Sequence, residues 1–144
     1  MNKICTSIEQ SQRLIELEID VSTANMYWAP DVNIIVAEPY IIKTKDETLI
    51  PAYDGAIPAW SLSALLKLLP SEFEETGSFG TFKYKIDIRK YKSTDEMDVY
   101  QIAYGNYLIG NSMGWKDMIN TGWKEDLLDA AFEMILKLNE LNLL

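Results

Sequence analysis

The chain has 144 residues, with 13 Lys and Arg against 22 Asp and Glu, a net charge of −9 and no histidine. Hydrophobic residues make up 48% and charged residues 24%, the balance of a globular domain and not of a disordered tail. A chain of this length buries roughly 68–70% of its unfolded surface on folding, so one compact domain over residues 1–144 is the expectation.

The missing histidine removes Ser-His-Asp and Cys-His nucleophiles, imidazole bases and His-ligated metals. A single cysteine, Cys5, removes an intramolecular disulfide and a Cys₄ zinc site. No residue pattern implies a cofactor. Residues 1–6 are too short and polar for a signal peptide, and no apolar run approaches ~18–20 residues. A cytoplasmic, reducing compartment with no membrane insertion is therefore expected. Nucleic acid is not the expected partner either. The one basic cluster is Lys83, Lys85, Arg89, Lys90 and Lys92, with Asp87 inside it, and the rest of the chain is strongly negative.

In chain order, Thr6 is placed to cap a first helix near 7–17, with Glu9 three residues on completing a capping box. Ile8, Ser11 and Ile15 share one face, with Leu14 and Leu17 beside them. The pattern breaks at Asp20-Val21-Ser22-Thr23, after which Ser22 or Thr23 can start one more turn through Met26. A helix-turn-helix pair there would carry Asn25 and Tyr27 on its second helix but no basic residue. Asn33 to Ala37 reads as a short strand between Pro30 and Pro39. Tyr40–Lys43 and Leu49–Tyr53 flank Lys45-Asp46-Glu47 as a hairpin, and Pro51 puts its strand at an edge or a bulge.

After the turn at Asp54-Gly55, a helix is expected over 61–69, capped by Ser61 and stopped by Pro70, with Leu62, Leu65, Leu66 and Leu69 as its buried stripe. Glu72, Glu74 and Glu75 read as a solvated loop. Phe82, Tyr84, Ile86 and Ile88 alternate with Lys83, Lys85, Asp87 and Arg89, which predicts a strand with a buried face and a basic wet face. A turn at Ser93–Glu96 leads into a second strand, 97–104, whose acidic start can neutralise the basic one. Residues 105–124 lose all periodicity. They hold four of the seven glycines, with Tyr107, Trp115 and Trp123. The last helix spans 126–140, with Leu127, Leu128, Ala131, Phe132, Ile135 and Leu138 on its apolar face.

The fold expected is α+β: an antiparallel sheet of about five strands, with the three helices packed on one face. No chemical motif stands out. Gly105 to Ser112 has the outline of a phosphate loop, but Asn111 occupies the lysine position that reaches the phosphates. Carboxylate pairs arise by chance among 22 acids, and Ser63 precedes Lys67 by four residues and not three. The aperiodic stretch is the candidate interaction surface, with Tyr107, Trp115 and Trp123 supplying rigid contact area. The alternative is a loop folded back on the sheet, with both tryptophans as core plugs.

Several segments together resemble a known group of proteins. They are Thr6-Ser7-Ile8-Glu9-Gln10-Ser11, Ile57-Pro58-Ala59-Trp60-Ser61-Leu62-Ser63-Ala64-Leu65-Leu66 and Asp129-Ala130-Ala131-Phe132-Glu133-Met134. The group consists of small uncharacterised proteins of Bacteroides and related gut bacteria, their prophages and their mobile elements. Glu18 departs from it, standing where glycine would be expected to close the first helix. The resemblance implies a context and no chemistry: a non-enzymatic accessory protein of a phage or mobile element that binds another protein. A second copy of the chain stays open as that partner. Two alternatives belong to other classes, a small enzyme using a carboxylate or a tyrosine, and an acidic DNA-mimic inhibitor.

Overall fold

The structure, a computed structural model, describes residues 3–78, 80–107 and 114–144. It is α+β, and all the strand pairs described are antiparallel. Among the described residues the strands form three separate sheets of three, two and four strands, not one sheet of about five. Two compact units divide the chain near Leu66.

In the first unit, helix α1 (Ile8–Glu16) starts one residue later than the capping-box spacing suggested. Ser7 is the cap, paired reciprocally with Gln10, so the Thr6/Glu9 assignment is corrected. Thr6 is buried instead. Its Oγ1 accepts the Trp60 backbone N–H at 3.1 Å and lies 2.8 Å from the Ser11 hydroxyl. The helix closes at Glu18, whose φ of 62° is left-handed. Glu18 N–H donates to Ile15 and Ile19 N–H to Leu14, the double bond that caps helices ending in such a residue.

The second helix expected near Met26 is a single 3-10 turn, Val21–Thr23, capped by Asp20. Met26 begins strand β1 (Met26–Ala29), which removes any helix-turn-helix. β1 lies between β2 (Ile34–Val36) and β5 (Ile57–Ala59). β3 (Ile41–Lys43) and β4 (Leu49–Pro51) form the hairpin expected from sequence, with Pro51 on an edge. Cys5, Met26 and Ala59 are buried together, with Trp28 and Ile35 packed against them. Burial raises the Cys5 thiol's pKa and leaves it a packing residue. Helix α2 (Leu62–Leu68) takes its cap from Ser61, which accepts from Ala64 N–H.

The second unit is a four-stranded meander in the order β6 (Glu72–Gly77), β7 (Gly80–Lys92), β8 (Asp98–Tyr107), β9 (Trp115–Asn120), with α3 (Leu127–Glu140) packed on β8. Glu72, Glu74 and Glu75 therefore belong to an edge strand, solvated as expected but not a loop. Ile102 and Tyr104 of β8 are fully buried, and the Tyr104 hydroxyl donates to the Pro70 carbonyl. Along β7, Tyr84 and Ile86 are half-buried, while Phe82 and Ile88 are 39% and 45% exposed, so the expected buried face is only partly covered. Asp126 caps α3, whose buried side is Leu128, Ala130, Ala131, Met134, Ile135 and Leu138; Leu127 and Phe132 sit at its margin.

The β3–β4 and β7–β8 turns share one design. In each, the residue just before the loop, Thr44 or Ser93, accepts from the N–H three residues on, and the last loop residue, Glu47 or Glu96, takes a left-handed φ. This is the three-residue hairpin loop in which a turn is followed by one left-handed residue.

Candidate interaction surface on the four-stranded sheet

The sheet register decides which side chains meet. Arg89 lies opposite Gln101, and Lys85 opposite Gly105, so the odd-numbered residues of β7 and β8 share one face. Lys90 and Lys92 point to the other face, where both reach Asp98, at 3.7 and 3.9 Å. The basic residues therefore do not form one wet face, which corrects the expectation drawn from their sequence spacing.

β9 joins β8 through a bulge. Tyr104 pairs with Ile119 but Gly105 pairs with Asp117, leaving Met118 as the extra residue. The bulge turns Trp115 and Asp117 onto the Arg89 face. There Arg89 donates to both carboxylate oxygens of Asp117, at 2.6 and 2.9 Å, to Asp87 at 2.7 Å and to Gln101 at 2.9 Å. Trp115 Nε1 donates to Asp117 at 2.7 Å. These bonds, Arg89's above all, hold the Asp117 carboxyl below its ordinary range, against the opposing pull of burial.

Trp115 also lies over the backbone of β8. A Cβ built on Gly105 would meet the Lys116 carbonyl and would come within 2.9 Å of Trp115 Cε2. Only glycine lets the indole and the neighbouring strand approach this closely. Tyr107 stands opposite Trp115 in the register, 5.5 Å between ring centroids and edge-on, and is 71% exposed.

The three residues proposed from sequence as one surface thus fall into two groups. Tyr107 and Trp115 are a contacting pair. Trp123, 49% exposed, packs on Tyr91 instead, at 5.8 Å. Tyr91 pairs with Val99, eight residues along β8 from Tyr107, so the two pairs lie about 26 Å apart at ~3.3 Å per residue. The aperiodic loop expected over 105–124 is corrected as well: Gly105–Tyr107 ends β8 and Trp115–Asn120 is β9. Residues 108–112 of the Gly105–Ser112 motif, Asn111 among them, lie outside the described residues.

Sequence reasoning missed the Arg89–Asp117 pair and β9 itself. Trp115-Lys116-Asp117-Met118-Ile119 gives no alternation of polar and apolar residues to read, because the bulge at Met118 shifts the period within the strand.

The tyrosines near carboxylates are held as donors. Tyr84 donates to Glu75 and Tyr53 to Asp31; both phenol pKa values are raised, Tyr84's by burial first and Tyr53's by Asp31 first. Among the described residues no three Cys, Asp or Glu groups converge to hold a metal, and no helix is long and apolar enough to cross a membrane. No family model, curated protein or solved structure matches the chain.

Proposed function

We propose that the protein is a non-enzymatic accessory factor of a phage or mobile element, acting by binding another protein through the Tyr107–Trp115 end of its sheet. The observation that carries this reading is the state of Tyr107. Its ring is largely in water, yet it stands against an indole whose orientation is fixed through Asp117 to Arg89. Rigid aromatic side chains offer a partner contact area at low entropic cost, as the anchors of protein interfaces do. The resemblance of the helical segments to proteins of phages and mobile elements supports the context, and the net charge of −9 favours a basic partner surface.

The test is affinity capture from the native host, comparing the wild type with Tyr107→Ala and Trp123→Ala. The reading expects one captured protein to be lost with Tyr107→Ala and kept with Trp123→Ala, at an unchanged Tm for both variants. Equal capture by all three chains would end it.

A further inference from the structure

The bulge that sends Asp117 toward Arg89 has a second effect, on the opposite face of the sheet. Counting back from Ile119, which shares a face with Tyr104, unbroken alternation would turn Lys116 toward Arg89. The extra residue reverses this. Lys116 stands beside its cross-strand partner Asn106, on the side of Tyr84 and Phe82. Phe82, Tyr84, Asn106, Lys116, Asp117 and Met118 line a groove of about 310 Å³.

The two rings are presented, not consumed. Phe82 is 39% exposed. Tyr84 is braced from behind by Phe73, with ring centroids 5.2 Å apart, and its hydroxyl is satisfied by Glu75. Met118, 43% exposed, adds a polarisable wall. Lys116 supplies the charge. Lys83 pairs with Glu74, whereas no described carboxylate pairs with Lys116, nor with Lys85, which faces the other side of the sheet. An unmatched cation beside two rings is notable in a chain of net charge −9.

We propose that this groove binds a small aromatic monocarboxylate. The ring of the ligand lies on Phe82 and Tyr84, its carboxylate meets the Lys116 ammonium, and the Asn106 amide donates a second hydrogen bond. Pocket volume and an apolar lining with a few convergent polar groups are those of small-ligand sites. A neutral ligand would cover the ammonium without pairing it, which costs hydration. A polyanion would meet only one cation here, within the negative field of the whole chain.

The probe is 2-naphthylacetate, titrated into the full chain by calorimetry and by amide NMR, against 2-naphthylacetamide as its neutral counterpart. The acid should bind one to one, about tenfold more tightly than the amide, the scale of one charge-assisted hydrogen bond. Lys116→Gln should bring the acid down to the amide's affinity, leaving the amide's affinity and the Tm unchanged. Phe82→Ala should weaken both ligands, and Tyr107→Ala neither. Shifts should centre on the Asn106 side-chain amide. Equal binding of acid and amide, indifference to Lys116→Gln, shifts centred on the Trp115 indole, or no binding at millimolar probe would each overturn the proposal.

Discussion

Arg89 and Asp117 meet across the full width of β8, joining β7 to β9 over a strand that neither belongs to. Their side chains are 27% and 24% exposed, and two parallel hydrogen bonds of 2.9 and 2.6 Å link them. Partial burial and fork geometry make this pair stronger than an ordinary surface ion pair.

Replacing Asp117 by asparagine should therefore lower stability at neutral pH by about 1–3 kcal/mol, the cost of leaving a charged donor poorly paired. The pH dependence has a fixed sign. Asp117's folded pKa lies below its ordinary value of 3.8, so its contribution is present above 3.8 and is lost as pH falls through the lower folded value. Urea unfolding at neutral pH and again well below 3.8 should show the gap between wild type and Asp117→Asn closing in acid. A gap that stays constant would mean that the carboxylate's charge contributes nothing.

Glu18 gives the opposite kind of variant. It holds a left-handed φ of 62° at the end of α1, where a side chain costs roughly 1–2 kcal/mol. Glu18→Gly should remove most of that strain, offset in part by glycine's freedom in the unfolded chain, and raise stability by about 0.5–1 kcal/mol. Thermal unfolding reads the effect directly, and a lower Tm would show that the Glu18 side chain makes a contribution larger than the strain.

Gly105→Ala tests the close approach of β9 to β8. The added methyl would press on the Lys116 carbonyl and on Trp115, backbone and indole that have little room to yield. Overpacking of this kind costs about 1–3 kcal/mol. Tryptophan emission should shift in the same variant, since Trp115 must move. An unshifted spectrum with full stability would contradict the packing described.

Within α3, Ile135 is fully buried while Phe132 is half-buried. Ile135→Ala should cost about 2–5 kcal/mol, and Phe132→Ala clearly less than the ~3–5 kcal/mol of an enclosed ring. Denaturant midpoints rank the two, and the reverse order would show the wrong side of the helix packed on β8.

What was legible in the sequence was local. Helix ends were marked by Ser61, Pro70 and Asp126, and both hairpin turns by short polar runs that end in a left-handed glutamate. The alternation from Phe82 to Arg89 gave β7 its direction but not its cover, because burial of each side chain depends on what packs above it. β6 was obscured by Glu72, Glu74 and Glu75, residues that suit a solvent-facing edge strand but carry no apolar rhythm. β5 was hidden by Pro58, tolerated at the sheet's edge. β9 was lost for a different reason, since one extra residue at Met118 inverts the period halfway along a six-residue strand. The site was legible only as a list of aromatics. Register, which sorts Tyr107 and Trp115 from Trp123, is a tertiary property.

The proposed binding role rests on the Tyr107–Trp115 pair, and site-specific photocrosslinking in the native host tests it most directly. A photoreactive p-benzoylphenylalanine at Tyr107 should give one dominant covalent adduct with another protein. The same group at Lys45, exposed on the β3–β4 turn, should give none above background. Asp117→Ala, which removes the acceptor of the Trp115 indole N–H, should weaken the Tyr107 adduct. Adducts of equal yield at both positions, or none at Tyr107, would contradict the account.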